Sequence, residues 1–133
     1  MELLRSKQKL TEQEIIDFEE KIGKELPIDF KEFYFKNNGG LPSLEFFLEY
    51  QIVYFNPIKY GEYILETAIE GLKDLLPVNS IPFASDGGGL PYYMSLEEDS
   101  YGHIFYLDHT YEEILLTTSF TEFINGFSIE PVY

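Results

Sequence analysis

The order of helical and strand signals predicts an α+β fold: one domain, residues 1–133, with an antiparallel or mixed β-sheet and helices packed mainly on one face. Three observations carry that expectation. Thr11 with Glu14 and Ser119 with Glu122 each read as a capping box opening an apolar run at helical spacing. Residues 91–118 hold three short apolar-aromatic runs, PYYMSL, HIFYLD and EILLTT, separated only by polar turns. No repeat and no low-complexity linker divides the chain.

The elements follow in order. After Thr11, the residues Ile15, Phe18, Ile22 and Leu26 line one helical face, and either Gly23 or the Leu26-Pro27 step ends the helix. Pro27 suits the first turn of a second helix carrying Phe30, Phe33 and Tyr34, which Asn37-Asn38-Gly39-Gly40 closes with a left-handed cap. Residues 44–55, LEFFLEYQIVYF, are aromatic and β-branched, and read as one bent strand or two short ones. A third helix covers roughly 61–76, burying Leu65, Ala68, Ile69, Leu72 and Leu76 ahead of Pro77. The runs in 91–118 are joined by EEDSYG and HTYE, short enough to make an antiparallel meander paired in order. Phe120, Phe123, Ile124 and Phe127 give the last helix its apolar face.

Composition narrows the function classes. Hydrophobic residues make up 44% and aromatics 17% of the chain, with 12 Phe and 11 Tyr, which is the composition of a folded globular protein. There is no cysteine, so disulfides, thiolate metal sites and a cysteine nucleophile are excluded. The N-terminus MELLRSKQKL lacks the features of a signal peptide, and no stretch approaches the ~20 apolar residues of a membrane span. The expectation is a cytoplasmic protein with no membrane association. Against 9 Lys plus Arg stand 24 Asp plus Glu, a net charge of −15. Such a surface repels nucleic-acid phosphates and attracts a basic partner.

The segment IPFASDGGGLPYY, residues 81–93, is the one place that suggests ligand chemistry. A phosphate loop would need a following lysine and a helix, and a dinucleotide fingerprint likewise needs its glycines between strand and helix; here strand-like PYYMSL follows. A calcium loop would need oxygen ligands at alternating positions, and only Asp86 is in place. A structural role fits better. Gly87, Gly88 and Gly89 turn the chain into the meander, and Asp86 caps backbone N–H groups within the loop.

No cofactor, metal site or catalytic residue is expected, and the protein is expected not to be an enzyme. His103 and His109, with Asp108 beside the second, are six residues apart; an extended strand would separate them by about 20 Å. No nucleophile elbow occurs, and the many carboxylates lack a partnering histidine–serine or lysine arrangement. The candidate binding surface is instead a set of tyrosines ringed by carboxylates: Tyr92, Tyr93, Glu97, Glu98, Asp99, Tyr101, Asp108, Tyr111, Glu112 and Glu113, beside Tyr106. Glu45, Glu49, Tyr50 and Tyr54 form a second candidate.

Four segments in order resemble the SUKH superfamily, small bacterial toxin-immunity domains that also occur in fungal cell-wall assembly regulators. They are LTEQEIIDFEEKIGKELPIDFKEFYFKNNGG, then IPFASDGGG entering PYYMSL, then GHIFYLDH, then SFTEFINGF. By this resemblance Pro27, Phe30, Phe33 and Tyr34 are helix-core positions, and Asn38 and Gly39 are the turn after them. Asp86 and Gly89 belong to the central loop, and Phe120 and Phe123 to the closing helix. What the resemblance implies is neutralisation of a cognate toxin, a basic nuclease being the charge-complementary case, by direct stoichiometric binding. The alternative it leaves open is a regulatory or scaffold module with a non-toxin partner. The oligomeric state expected is monomer or weak homodimer, since the net charge of −15 opposes self-association.

Overall fold

A computed structural model describes residues 1–133. Along the chain lie β1 (Leu3–Leu4), α1 (Glu12–Ile22), α2 (Ile28–Lys36), β2 (Leu41–Pro42), β3 (Phe46–Phe47), β4 (Tyr50–Gln51), β5 (Tyr54–Phe55) and α3 (Leu65–Leu72). Then follow β6 (Ser80–Ser85), β7 (Pro91–Ser95), β8 (Ile104–Leu107), β9 (Glu113–Thr117), α4 (Phe120–Asn125) and β10 (Phe127–Ser128). The principal sheet runs β5-β6-β7-β8-β9 with every pair antiparallel, so the meander pairs in chain order as its short turns require. A small sheet, β10-β3-β4, and the pair β1-β2 complete the strands.

Local signals hold where neighbouring residues satisfy them. Thr11 Oγ1 accepts the Glu14 N–H at 3.1 Å while Glu14 Oε1 accepts the Thr11 N–H at 3.0 Å, a complete capping box. Gly23, at φ +75°, closes α1. Ser119 caps α4 only by half: its Oγ accepts the Glu122 N–H, but the Glu122 carboxylate takes the Ser119 and Thr118 hydroxyls in place of a backbone donor.

Three expectations shift. The cap of α2 is not left-handed, for Asn37 is extended at φ −139°. Its neighbour Asn38 turns inward and binds the carbonyls of Gln8 and Ile58 and the N–H of Ile58. The glycines behind it serve close approach instead. A Cβ on Gly40 would lie 2.4 Å from the Leu4 carbonyl oxygen, and one on Gly39 2.6 Å from the Pro57 nitrogen. Helix α3 is shorter than residues 61–76, because Tyr63 takes a left-handed φ of +53° and Leu75 and Leu76 both bond back to the Leu72 carbonyl. Segment 44–55 divides into three two-residue strands, with Leu48 left-handed (φ +53°) in the turn from β3 to β4.

The core is aromatic. Phe30 stacks on Tyr34 at 4.5 Å and meets Phe120 edge-on at 5.0 Å, and Phe83 and Phe123 close the group. Alternation along the strands divides their side chains between two faces. Tyr92, Met94, Ile104 and Tyr106 join the core shared with α1, α2 and α4. Tyr93 and Leu107 point the other way and pack with Leu72 and Leu76 from α3 and the turn after it. Helices therefore crowd one face of the sheet, and α3 alone reaches the other.

Candidate partner-binding surface

The glycine segment is the turn of the β6–β7 hairpin, which closes between Ser85 and Pro91. Asp86 Oδ1 accepts the N–H groups of Gly88 and Leu90, each at 2.9 Å, and its Oδ2 accepts the Tyr106 hydroxyl at 2.6 Å. Only Gly89 has a positive φ, +86°, so one glycine of the three supplies the left-handed step. Both Asp86 oxygens are thus committed to internal donors. His103 and His109 do not meet Asp108 in a common cluster, and no three His, Cys, Asp or Glu side chains converge as metal ligands would.

The predicted tyrosine anchors need correction. Tyr92 and Tyr93 are 0% and 1% exposed and cannot meet a partner. β7 is the middle strand of five, and helices cover one of its faces while α3 and its following turn cover the other. Tyr92 stacks on Tyr106 at 4.5 Å and donates to the Gln51 carbonyl at 2.7 Å. Tyr93 stacks on Phe105 at 5.3 Å and donates to the Glu113 carboxylate. Burial, joined by that carboxylate at Tyr93 and by Asp86 at Tyr106, holds all three phenols well above the ordinary tyrosine range.

Nor do the carboxylates predicted as one cluster form one patch. Glu97, Glu98 and Asp99 lie in the β7–β8 connection, and Asp108, Tyr111 and Glu112 in the β8–β9 turn, with Glu113 opening β9. Those turns cap opposite ends of β8, whose four residues span about 13 Å. At the first end Tyr101 donates to the Glu25 carbonyl at 2.7 Å, fastening the connection onto the link between α1 and α2. At the second, Asp108 Oδ1 accepts the Thr110 hydroxyl at 2.6 Å and the N–H groups of Thr110 and Glu112. Those donors hold its carboxyl below the usual range. Tyr111, left-handed at φ +64°, is 69% exposed beside it.

What the fold does assemble is one end of the sheet. The Tyr50 ring from β4 lies 5.2 Å from Tyr106. Its phenol is raised by burial first, then by Glu49, with Asp108 and Glu112 adding to it. Glu49 and Tyr50 thus join Asp108, Tyr111 and Glu112, although the sequence places these groups in separate candidates. Of the second candidate, Glu45 is exposed on the chain before β3. Tyr54 lies apart from Tyr50: it donates to the Glu62 carbonyl at 2.7 Å and its ring meets Tyr63 edge-on. Tyr63 went unmarked in the sequence, where its spacing reads as helix.

Residues 9–126 match the model of the SMI1 / KNR4 family (SUKH-1), well over half of the chain. The chain belongs to that family. In this SUKH-1 protein the matched span runs from just before the Thr11 cap to Gly126, so it contains the glycine turn, the meander and α4. No curated protein matches the chain. No helix is long and apolar enough to cross a membrane.

Proposed function

We propose that this SUKH-1 protein is a cytoplasmic immunity protein that neutralises a cognate toxin of a polymorphic or contact-dependent system. It does so by stoichiometric binding, without a cofactor and without catalysing a reaction. Membership of a family that includes toxin-immunity proteins carries the reading. Charge gives it a direction. A chain at −15 favours a basic partner, of which a nuclease with a phosphate-binding cleft is the natural type. The contact surface proposed is the sheet end bearing Glu49, Tyr50, Tyr111 and Glu112, an exposed or half-exposed mix of aromatic anchors and carboxylates.

The test is co-expression of the toxin domain encoded beside this gene, alone and together with this protein, followed by calorimetry on the purified pair. Growth rescue with a one-to-one, salt-sensitive complex is expected. Absence of both rescue and binding would remove the immunity reading and favour a regulatory module with another partner.

A further inference from the structure

On the face of the sheet away from α1, α2 and α4 runs a groove of about 600 Å³. Its floor is Pro82, Ser85 and Pro91, which the strand register puts on the face opposite the core-facing Tyr92. One rim is the glycine turn, and the other is formed by α3 and the residues leading into it. We propose that this groove holds an extended, arginine-bearing segment of the protein partner, with the guanidinium seated on Tyr63.

The rim is built to display that ring. Tyr63 is 76% exposed and non-glycine, yet its backbone sits in the left-handed region at φ +53°. Asn56 Nδ2 holds its carbonyl at 2.7 Å, and the Tyr54 hydroxyl holds the preceding carbonyl of Glu62 at 2.7 Å. Tyr54 and Tyr63 meet at 6.2 Å and 83°, an edge-to-face pair that leaves an aromatic face open. An unfavourable backbone conformation held by two side-chain donors, with an unburied aromatic as its product, points to use of that ring.

Charge selects the occupant. The Glu62 carboxylate on the same rim has no ion-pair or hydrogen-bond partner, whereas Asp86 opposite is satisfied by its own turn and by Tyr106 of β8. Lys7 borders the groove at Gly61, where its aliphatic stem would lie 2.7 Å from an added Cβ. With Glu62 and Asp86 against Lys7 the groove carries one net negative charge, within a chain at −15. A tyrosine face beside a free carboxylate is receptor chemistry for a planar cation, and the shallow trough accepts a main chain with small neighbours. The inference rests on the reading that the protein acts by binding a basic protein, and assigns the segment that enters this groove.

The experiment needs no cognate toxin. The isotope-labelled protein would be titrated with the peptide acetyl-Gly-Ala-Arg-Ala-Gly-amide and, separately, with its Arg→Glu counterpart, following backbone amide resonances. Expected are saturable shifts confined to residues 61–68 and 82–91 with the arginine peptide only. Tyr63→Ala should weaken binding about tenfold and Glu62→Gln about threefold. Tyr63 is too exposed for its loss to unfold the domain, and the retained spectrum of the variant would verify that. Unmoved groove amides, equal binding of the glutamate peptide, or an unaffected Tyr63→Ala variant would each overturn the proposal. Rescue from the toxin without peptide binding would sink the groove and spare the immunity reading; peptide binding without rescue would do the reverse.

Discussion

Tyr106 donates its hydroxyl to Asp86 Oδ2 at 2.6 Å, so a side chain of β8 fastens the turn between β6 and β7. The other oxygen of the same carboxylate holds the turn's own Gly88 and Leu90 N–H groups. A loop whose composition suggests ligand binding thus has its one carboxylate occupied by donors of the turn and of β8.

Removing that carboxylate should loosen both neighbours. Asp86→Ala is expected to cost about 1–3 kcal/mol, and Tyr106→Phe about 1 kcal/mol. Because the two share one bond, urea denaturation of the single and double variants should show coupling of at least about 0.5 kcal/mol. Additive losses would mean the hydroxyl contributes nothing through Asp86.

A deeper pair of buried polar groups should matter more. Tyr34 donates to the Asn56 carbonyl at 2.8 Å, and Asn38 spends its whole amide on Gln8 and Ile58. Tyr34→Phe should destabilise by about 1–2 kcal/mol, and Asn38→Ala by about 3 kcal/mol, since it strands three backbone groups where water has little access. Thermal unfolding of both variants checks the ranking.

Glu14 predicts a pH dependence. The Lys59 ammonium, then the Tyr60 hydroxyl and the Thr11 N–H, hold its carboxyl at about 2, below the ordinary 4.5. A depressed carboxylate stabilises the fold above its unfolded value, and that contribution disappears as pH falls through the folded one. Glu14→Gln should therefore be less stable than the parent at neutral pH, with the gap closing between about pH 4.5 and about pH 2. Parallel denaturant titrations across that window measure it; a gap independent of pH would assign the effect to lost packing.

The sheet-end surface is separable from bulk charge. Glu49→Lys with Glu112→Lys changes net charge by as much as Glu98→Lys with Asp99→Lys, but at the opposite end of β8. The first pair should slow association with the cognate toxin by about tenfold at low salt, and the second far less. Stopped-flow rates that fall equally for both pairs would show that only overall charge steers the partner.

Much of this protein was determined by residues close together in the chain. Thr11 and Glu14 cap α1 with atoms three residues apart, and the short turns of 91–118 leave antiparallel pairing in order as the only economical connection. The family was legible for the same reason, as motifs in a fixed order. Tertiary structure decided the rest. Tyr92 and Tyr93 look like surface anchors until both faces of β7 are covered by segments far away in the chain. Glu49 and Glu112 belong to one surface only because β4 and the β8–β9 turn meet through Tyr50 and Tyr106. Asn38 was legible as a turn residue, but its burial depends on Gln8 and Ile58, 30 and 20 positions away. Hydrogen bonds within a turn can be read from neighbouring letters; burial depends on what the rest of the chain brings to the other side.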